Sequence, residues 1–349
     1  MSGLTGLIRV DGSDTIGMGH VMRCLYLARE LFRVAQCRLV FVMRQLPMGS
    51  AWVERQGYPV VSIPADAGPA DEVACVRDVI AHERPAFVVT DLRALTPGLV
   101  EAVKADGVMC VTIDEWGDRA VSTDILTNGT VVLAWHRYEL EGDVRCLIGG
   151  RYALLDQQFV RAHDAPRRPH DGSARVLVAL GGDDPFDLTS KAVESLELVR
   201  GPLAGIIVIG PAFTNQARIR DLVSSSRHRY EVHENTNRMA DLMLWADVAI
   251  TAGGLIALEL ACTGTAGLIV CEVDHQLDTA AVLESYGAAL NLGLGDRLDP
   301  SELAASVTRL LEDPRRREAM SQAGRRLIDG RGCCRLAEAI VGALRARAA

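Results

Sequence analysis

Residues 11–23, DGSDTIGMGHVMR, follow an apolar run and lead into an amphipathic one. Gly17 and Gly19 let a backbone turn tightly and approach a ligand closely. A helix opening there offers free N–H groups and the positive end of its dipole to an anion. His20 stands at the mouth of that helix, where an imidazole can take a proton near neutral pH; a polar residue capping the helix is the alternative. Arg23, one turn on, either reaches the same site or forms an ordinary surface ion pair. Asp11 and Asp14 suit sugar hydroxyls or merely support the turn. The pattern lacks the third glycine of a dinucleotide fingerprint and the Gly-Lys-Ser/Thr of a Walker loop.

Two further stretches share this strand-to-helix character. In residues 180–189, LGGDDPFDLT, Gly181 and Gly182 end an apolar run, a place where the backbone comes close to a ligand or to another segment. Asp183 and Asp184 would face the ligand side, and Asp187 is the expected helix N-cap. Paired carboxylates can bind Mg²⁺, although adjacent aspartates at a turn are common. In residues 251–276, Gly253 and Gly254 open a helix that offers a second anion site. Glu259 lies in that apolar helix amid Leu258, Leu260 and Ala261, so it either grips ribose hydroxyls or lies on a polar surface stripe. Asp274, His275 and Gln276 follow the next strand end. No G-x-S-x-G elbow occurs, and the remaining histidines lack metal-ligand spacing.

The elements that must position these residues alternate between short β-branched runs and amphipathic stretches, the signature of βα units and a parallel sheet. The first series has strands at 6–10, 38–43, 59–63, 86–90 and 108–113, with helices at 19–34, 70–82 and 97–106. The second has strands at 175–180, 205–209, 230–233, 248–251 and 267–271, with helices at 188–198, 215–224, 239–245, 255–263 and 277–286. Two more helices are expected at 300–311 and 333–347. The polar, proline-bearing stretch 161–173 reads as a linker. The domains are therefore placed at 1–160 and 174–330, followed by a final helix over 331–349. The class is α/β, two doubly wound domains with ligands at the carboxyl ends of the strands and the cleft between the domains as the default site.

Composition narrows the partners. The chain has 349 residues, 49% hydrophobic and 23% charged, with a net charge of −8. Such a length suits two domains. The negative charge argues against a broad nucleic-acid surface, and 5% aromatics argues against base-stacking platforms. Nine scattered cysteines without a CxxC pair imply neither a zinc site nor a disulfide framework. No apolar run reaches membrane-spanning length and no signal peptide is evident, which makes the cytoplasm the default address.

Several stretches together carry a resemblance: DGSDTIGMGHVMRC, IDEWGDRAVSTDILTN, YALLDQQF, LVALGGDDPFDLT, MADLMLWADVAITAGG and ELACTG, in order over residues 7–295. They resemble the GT-B superfamily of nucleotide-sugar enzymes. They look most like the UDP-2,4-diacetamido-2,4,6-trideoxy-β-L-altropyranose hydrolases of pseudaminic acid synthesis and the related SpsG-type proteins. The resemblance implies two Rossmann-like domains, UDP held mainly by the second, and a reaction at the anomeric carbon with loss of UDP. It makes His20 the match to a catalytic histidine that activates or orients water, and Glu259 the match to the carboxylate on the uridine ribose. By the same likeness Gln276 is near the sugar or diphosphate, and Gly253 and Gly254 are the phosphate-binding glycines. The chain departs from that pattern at Leu255 and Ile256, where Ser-Thr is usual, and at His275, where asparagine is usual. It departs again at Asp156, in place of a basic residue, and at Glu115, in place of the second aspartate of an IDD element.

The expected function is hydrolysis of a UDP-sugar with His20 as general base. The alternatives are an inverting glycosyltransferase on the same scaffold and a nucleotide-sugar binding protein without catalysis. The expected partners are a nucleotide sugar and, for the transferase, a small-molecule acceptor. No cofactor, metal, nucleic acid or membrane span is expected.

Overall fold

The computed structural model describes residues 3–13, 16–166, 172–182, 184–210, 213 and 215–348. Residues up to Gln157, together with those from Arg331 onward, form one unit, and Gln158–Gly330 form the other. Both are Rossmann-like α/β domains.

The first domain carries a seven-stranded sheet in the order β3-β2-β1-β4-β5-β7-β9. Its strands are β1 (Thr5–Val10), β2 (Arg38–Arg44), β3 (Val60–Ile63), β4 (Phe87–Asp91), β5 (Met109–Ile113), β7 (Ile125–Asn128) and β9 (Arg145–Ile148). Every neighbouring pair is parallel. A two-stranded parallel ribbon, β6 (Arg119–Val121) with β8 (Tyr138–Leu140), branches from it. The helices are α1 (Gly19–Ala35), α2 (Gly49–Arg55), α3 (Pro69–Glu83) and α4 (Leu99–Ala105).

Successive strand residues face opposite sides of a sheet, so both faces here are apolar and each needs cover. On one face Ile8, Phe41 and Val89 meet the stripe Val21, Cys24, Leu25, Ala28 and Leu31 of α1. On the other, Leu7, Val40 and Val88 meet Val76 and Ile80 of α3 and Leu99 and Val103 of α4.

The second domain opens with α5 (Gln157–His163), which takes up the first three residues of the expected 161–173 linker; residues 167–171 lie outside the described set. Its six-stranded sheet runs β12-β11-β10-β13-β14-β15, again wholly parallel. The strands are β10 (Ala174–Ala179), β11 (Leu203–Ile209), β12 (Arg229–Glu234), β13 (Val248–Thr251), β14 (Ala266–Cys271) and β15 (Ala289–Leu294). The helices are α6 (Leu188–Leu196), α7 (Gln216–Ser225), α8 (Met239–Trp245), α9 (Leu255–Thr263), α10 (Asp274–Ser285), α11 (Pro300–Glu312) and α12 (Pro314–Leu327).

The final helix, α13 (Gly332–Ala348), is not an appendage. Leu336, Ala337 and Ile340 enter the core of the first domain beside α1. The expected separate segment 331–349 is thereby corrected: its apolar stripe needs cover and finds it on the domain where the chain began. All nine cysteines are free thiols. No helix among the described residues is long and apolar enough to cross a membrane.

Candidate functional site

The strand order of the first sheet reverses direction between β1 and β4, where Val10 and Asp91 are paired in register. Such a reversal opens a crevice at the carboxyl ends of the strands. The chain leaving β1 turns back on itself there. Gly17 N–H donates to the Ser13 carbonyl (2.9 Å), and Ile16 N–H donates to Ser13 Oγ (3.1 Å). Gly17 has φ +84°, which a side chain would oppose. Helix α1 then starts at Gly19, and its first turns deliver His20 and Arg23 to the crevice. Gly19 is exposed, and a Cβ there would meet nothing.

His20 Nδ1 lies 2.7 Å from Asp91 Oδ1. An ionised carboxylate can only accept, so Nδ1 carries the proton and Nε2 presents its lone pair. Arg23 grips the same carboxylate in a fork, Nε to Oδ2 and Nη2 to Oδ1, both 2.6 Å. Arg23 Nη2 also lies 2.9 Å from His20 Nδ1, but both atoms are then donors and the carboxylate takes both protons. Through Nη1, Arg23 pairs with Glu115, whose Oε2 stands 3.8 Å from His20 Nε2. Burial pushes the Asp91 carboxyl up, yet the guanidinium of Arg23 and the imidazole of His20 hold it well below the usual carboxylate range. Burial lowers the pKa of Arg23, but Asp91 and Glu115 raise it above its ordinary value. An oriented imidazole with an open nitrogen between two carboxylates is built to accept a proton and to stabilise the imidazolium that results.

No sequence pattern singles out Asp91, and Glu115 stands out only as the replacement for the second aspartate of an IDD element. Asp91 ends the apolar run FVVTD, one residue past the expected strand, and a carboxylate at the carboxyl end of a buried parallel strand was the available signal. Asp11, in contrast, is committed elsewhere. Its carboxylate takes both Nη1 (2.6 Å) and Nη2 (2.7 Å) of Arg9 and the Arg44 N–H (2.7 Å). Arg9 is 1% exposed in the middle of the sheet, and its Nε donates to Glu72 (2.8 Å). A hydroxyl-binding role for Asp11 is corrected to neutralising a buried arginine. Asp14 lies outside the described residues.

In the second domain three adjacent strand ends come together. Gly181 and Gly182 leave β10, Gly253 and Gly254 leave β13, and Glu272 and Gln276 follow β14. The close approach at Gly181 and Gly182 is to another segment: a Cβ on Gly210, past β11, would come within 2.3 Å of the Gly182 carbonyl oxygen. Asp184 is buried, and its carboxylate accepts the Leu188 N–H (2.8 Å) and the Thr189 N–H (2.7 Å) at the start of α6. It is the capping residue in place of Asp187, whose side chain makes no cap. Burial pushes the Asp184 carboxyl up, with those two N–H groups opposing. Asp183 lies outside the described residues.

Gly253 is fixed by packing. A Cβ there would be 2.8 Å from Gln276 Cβ and 2.9 Å from the Gln276 carbonyl oxygen. Gln276 Oε1 accepts the Gly253 N–H (3.1 Å) and the Glu272 N–H (2.9 Å), while Nε2 donates to Glu272 (3.3 Å). Gln276 therefore latches the Gly253 turn to the end of β14. The following helix, α9, begins at Leu255 with Gly254 as an N-cap that supplies no side-chain bond. Leu255 and Ile256 offer only backbone N–H groups in that first turn. Glu259 is buried on α9 at 7% exposure. Helix α10 starts at Asp274, three residues before the expected 277, so His275 and Gln276 lie in its first turn, with His275 exposed.

Residues 176–329 match the Glycosyltransferase family 28 C-terminal domain. Among curated relatives, the chain is 28% identical over 94% of its length to the Spore coat polysaccharide biosynthesis protein SpsG of Bacillus subtilis, covering 95% of that protein. It is 23% identical over 80% of its length to the UDP-2,4-diacetamido-2,4,6-trideoxy-β-L-altropyranose hydrolase of Campylobacter jejuni, covering 96% of it. The solved structure of Acinetobacter baumannii MurG superposes with a TM-score of 0.72 at 15% identity, covering 97% of this chain and 99% of that one.

Proposed function

We propose that the protein is a nucleotide-sugar enzyme that transfers a sugar from a UDP-sugar to an acceptor hydroxyl, with His20 as general base. The observation that carries this reading is the His20 ring, held at Nδ1 by buried Asp91 with Nε2 left to accept. In the reaction the acceptor oxygen bonds to the anomeric carbon, its proton passes to His20 Nε2, and the bond from that carbon to the diphosphate oxygen breaks. UDP leaves with the electron pair, and the anomeric configuration inverts. The backbone N–H groups opening α9 at Leu255 and Ile256 stabilise the departing diphosphate. Glu259 binds the ribose hydroxyls, and Gln276 holds the Gly253 turn in place for both. The family 28 match to the second domain supports transfer.

Water as the acceptor is the second reading. It is favoured by the Campylobacter relative, a hydrolase by name, whose likeness extends well beyond the second domain to 80% of the chain. One experiment separates the two. Phosphorus NMR of the protein with a panel of UDP-sugars and no acceptor reads out free UDP directly. Slow release that rises at least tenfold on adding an acceptor supports transfer; prompt release with free sugar supports hydrolysis. Binding without release under either condition overturns both.

A further inference from the structure

The loop that carries Glu115 holds a feature that the proton transfer leaves unused. Trp116 follows Glu115 directly, and its ring lies 5.0 Å from that of Trp135, tilted by 46°. Both indoles are half-buried, and nearby Leu133 is 74% exposed. The chain has only four tryptophans, so half of them are here.

Hydrogen bonds tie together the two loops that carry this pair. Asp114 accepts the Gly117 N–H (2.8 Å) and the Tyr138 hydroxyl (2.8 Å) and pairs with Arg119 (2.5 Å). Asn128 donates to the Trp135 carbonyl (3.0 Å), and Asp118 N–H donates to the Arg137 carbonyl (2.6 Å). A Cβ on Gly117 would come within 2.4 Å of the Trp135 carbonyl oxygen, so the two loops are in close contact.

We propose that Trp116, Trp135 and Leu133 form an acceptor subsite for the apolar face of an uncharged sugar ring, with Glu115 accepting a hydrogen bond from one of its hydroxyls. This rests on the transfer reading above and names the class of acceptor. The C–H-rich face of a pyranose packs on an indole face, while its hydroxyls seek a charged acceptor at the edge. Glu115 Oε2 is 3.8 Å from His20 Nε2, so a ring held at Glu115 has a neighbouring hydroxyl within reach of the base. Charge selects among acceptors: of the seven acidic side chains in residues 114–143, Asp114, Glu115 and Asp124 are paired with Arg119, Arg23 and Arg347, which leaves Asp118, Glu139, Glu141 and Asp143 against Arg137. That field repels a phosphate-bearing acceptor, a lipid diphosphate included.

The test is saturation-transfer NMR on the full chain with saturating UDP present, using methyl β-glucopyranoside as probe and glucose 6-phosphate as its charged counterpart. The expected result is transfer to the ring protons of the neutral glucoside, little to the phosphate. Trp116→Ala should weaken the glucoside signal roughly fivefold. Leu133→Asp should do the same, and at so exposed a position it leaves folding intact. Unchanged glucoside signals in Leu133→Asp, or a stronger signal from glucose 6-phosphate, overturn the subsite. The UDP signals in the same tube report the nucleotide reading separately: their absence with glucoside signals intact would break that reading and still support this subsite.

Discussion

His20 and Asp91 form a pair in which one partner has no solvent exposure and the other is only 14% exposed, with 2.7 Å between Nδ1 and Oδ1. A buried carboxylate of this kind needs full compensation, and Arg23 supplies it from the next turn of the same helix that carries His20. Helix α1 is thus bound to the end of β4 through two side chains on one face, and the base inherits the rigidity of the sheet.

Asp91→Asn keeps the size of the side chain and removes the charge. His20 then loses its orienting acceptor and Arg23 its counter-ion. Turnover is expected to fall by roughly 10²–10⁴-fold. Unfolding in urea should reveal a loss of about 3–5 kcal/mol, the usual cost of stranding one member of a buried pair.

His20→Ala removes the base and one hydrogen bond to Asp91, while the fork from Arg23 still compensates that buried carboxylate. Turnover is expected to fall by roughly 10²–10⁴-fold while the dissociation constant of UDP, read by calorimetry, changes little. Turnover at the wild-type rate would remove His20 from the chemistry.

Gln276→Leu deprives the Gly253 and Glu272 N–H groups of their shared acceptor. Each stranded donor costs about 1–3 kcal/mol. A lower melting temperature and a raised KM for the UDP-sugar are expected together, with kcat less affected. The same KM rise should accompany Gly253→Ala, whose Cβ has no room beside Gln276.

Acid stability follows from the carboxyls held low. Burial pushes Glu72 up, but Arg9 and Arg44 beside it keep its pKa below the ordinary value, as Arg23 does for Asp91. The stability these groups supply is fully present above the unfolded carboxylate pKa of about 4 and is lost as pH falls through their lower folded values. Asp184 runs the other way: its raised pKa makes folding slightly more favourable as pH drops through it from above. Urea midpoints should therefore hold level near neutrality and drop steeply below roughly pH 4. Replacing Glu72 by Gln should flatten that drop.

The turn-forming glycines, the apolar strand runs and the polar residue at the mouth of α1 were legible because each leaves a local pattern. His20 and Arg23 lie three residues apart on one helix, so their joint placement follows from helical period alone. Asp91 does not announce itself, since a lone carboxylate after FVVT looks like the first residue of a loop. Asp11 misled because its partner Arg9 is a charged residue inside a buried strand, which no local rule anticipates. Asp184 displaced Asp187 as the cap because the chain takes a left-handed turn at Asp187, with φ +53°, and its carboxylate accepts from the Ser190 hydroxyl and Arg218 and not from a backbone N–H of the first turn. The short strands of the β6–β8 ribbon have only three residues each, too few for a period to show.

The docking of α13 onto α1 has a consequence for how the molecule is made. During synthesis the second domain has its whole sequence once residue 330 has emerged, while the first still lacks Leu336, Ala337 and Ile340 from its core. The domain that leaves the ribosome first is the last to be completed. A stop codon just after residue 330 would therefore injure the domain whose strands were made first.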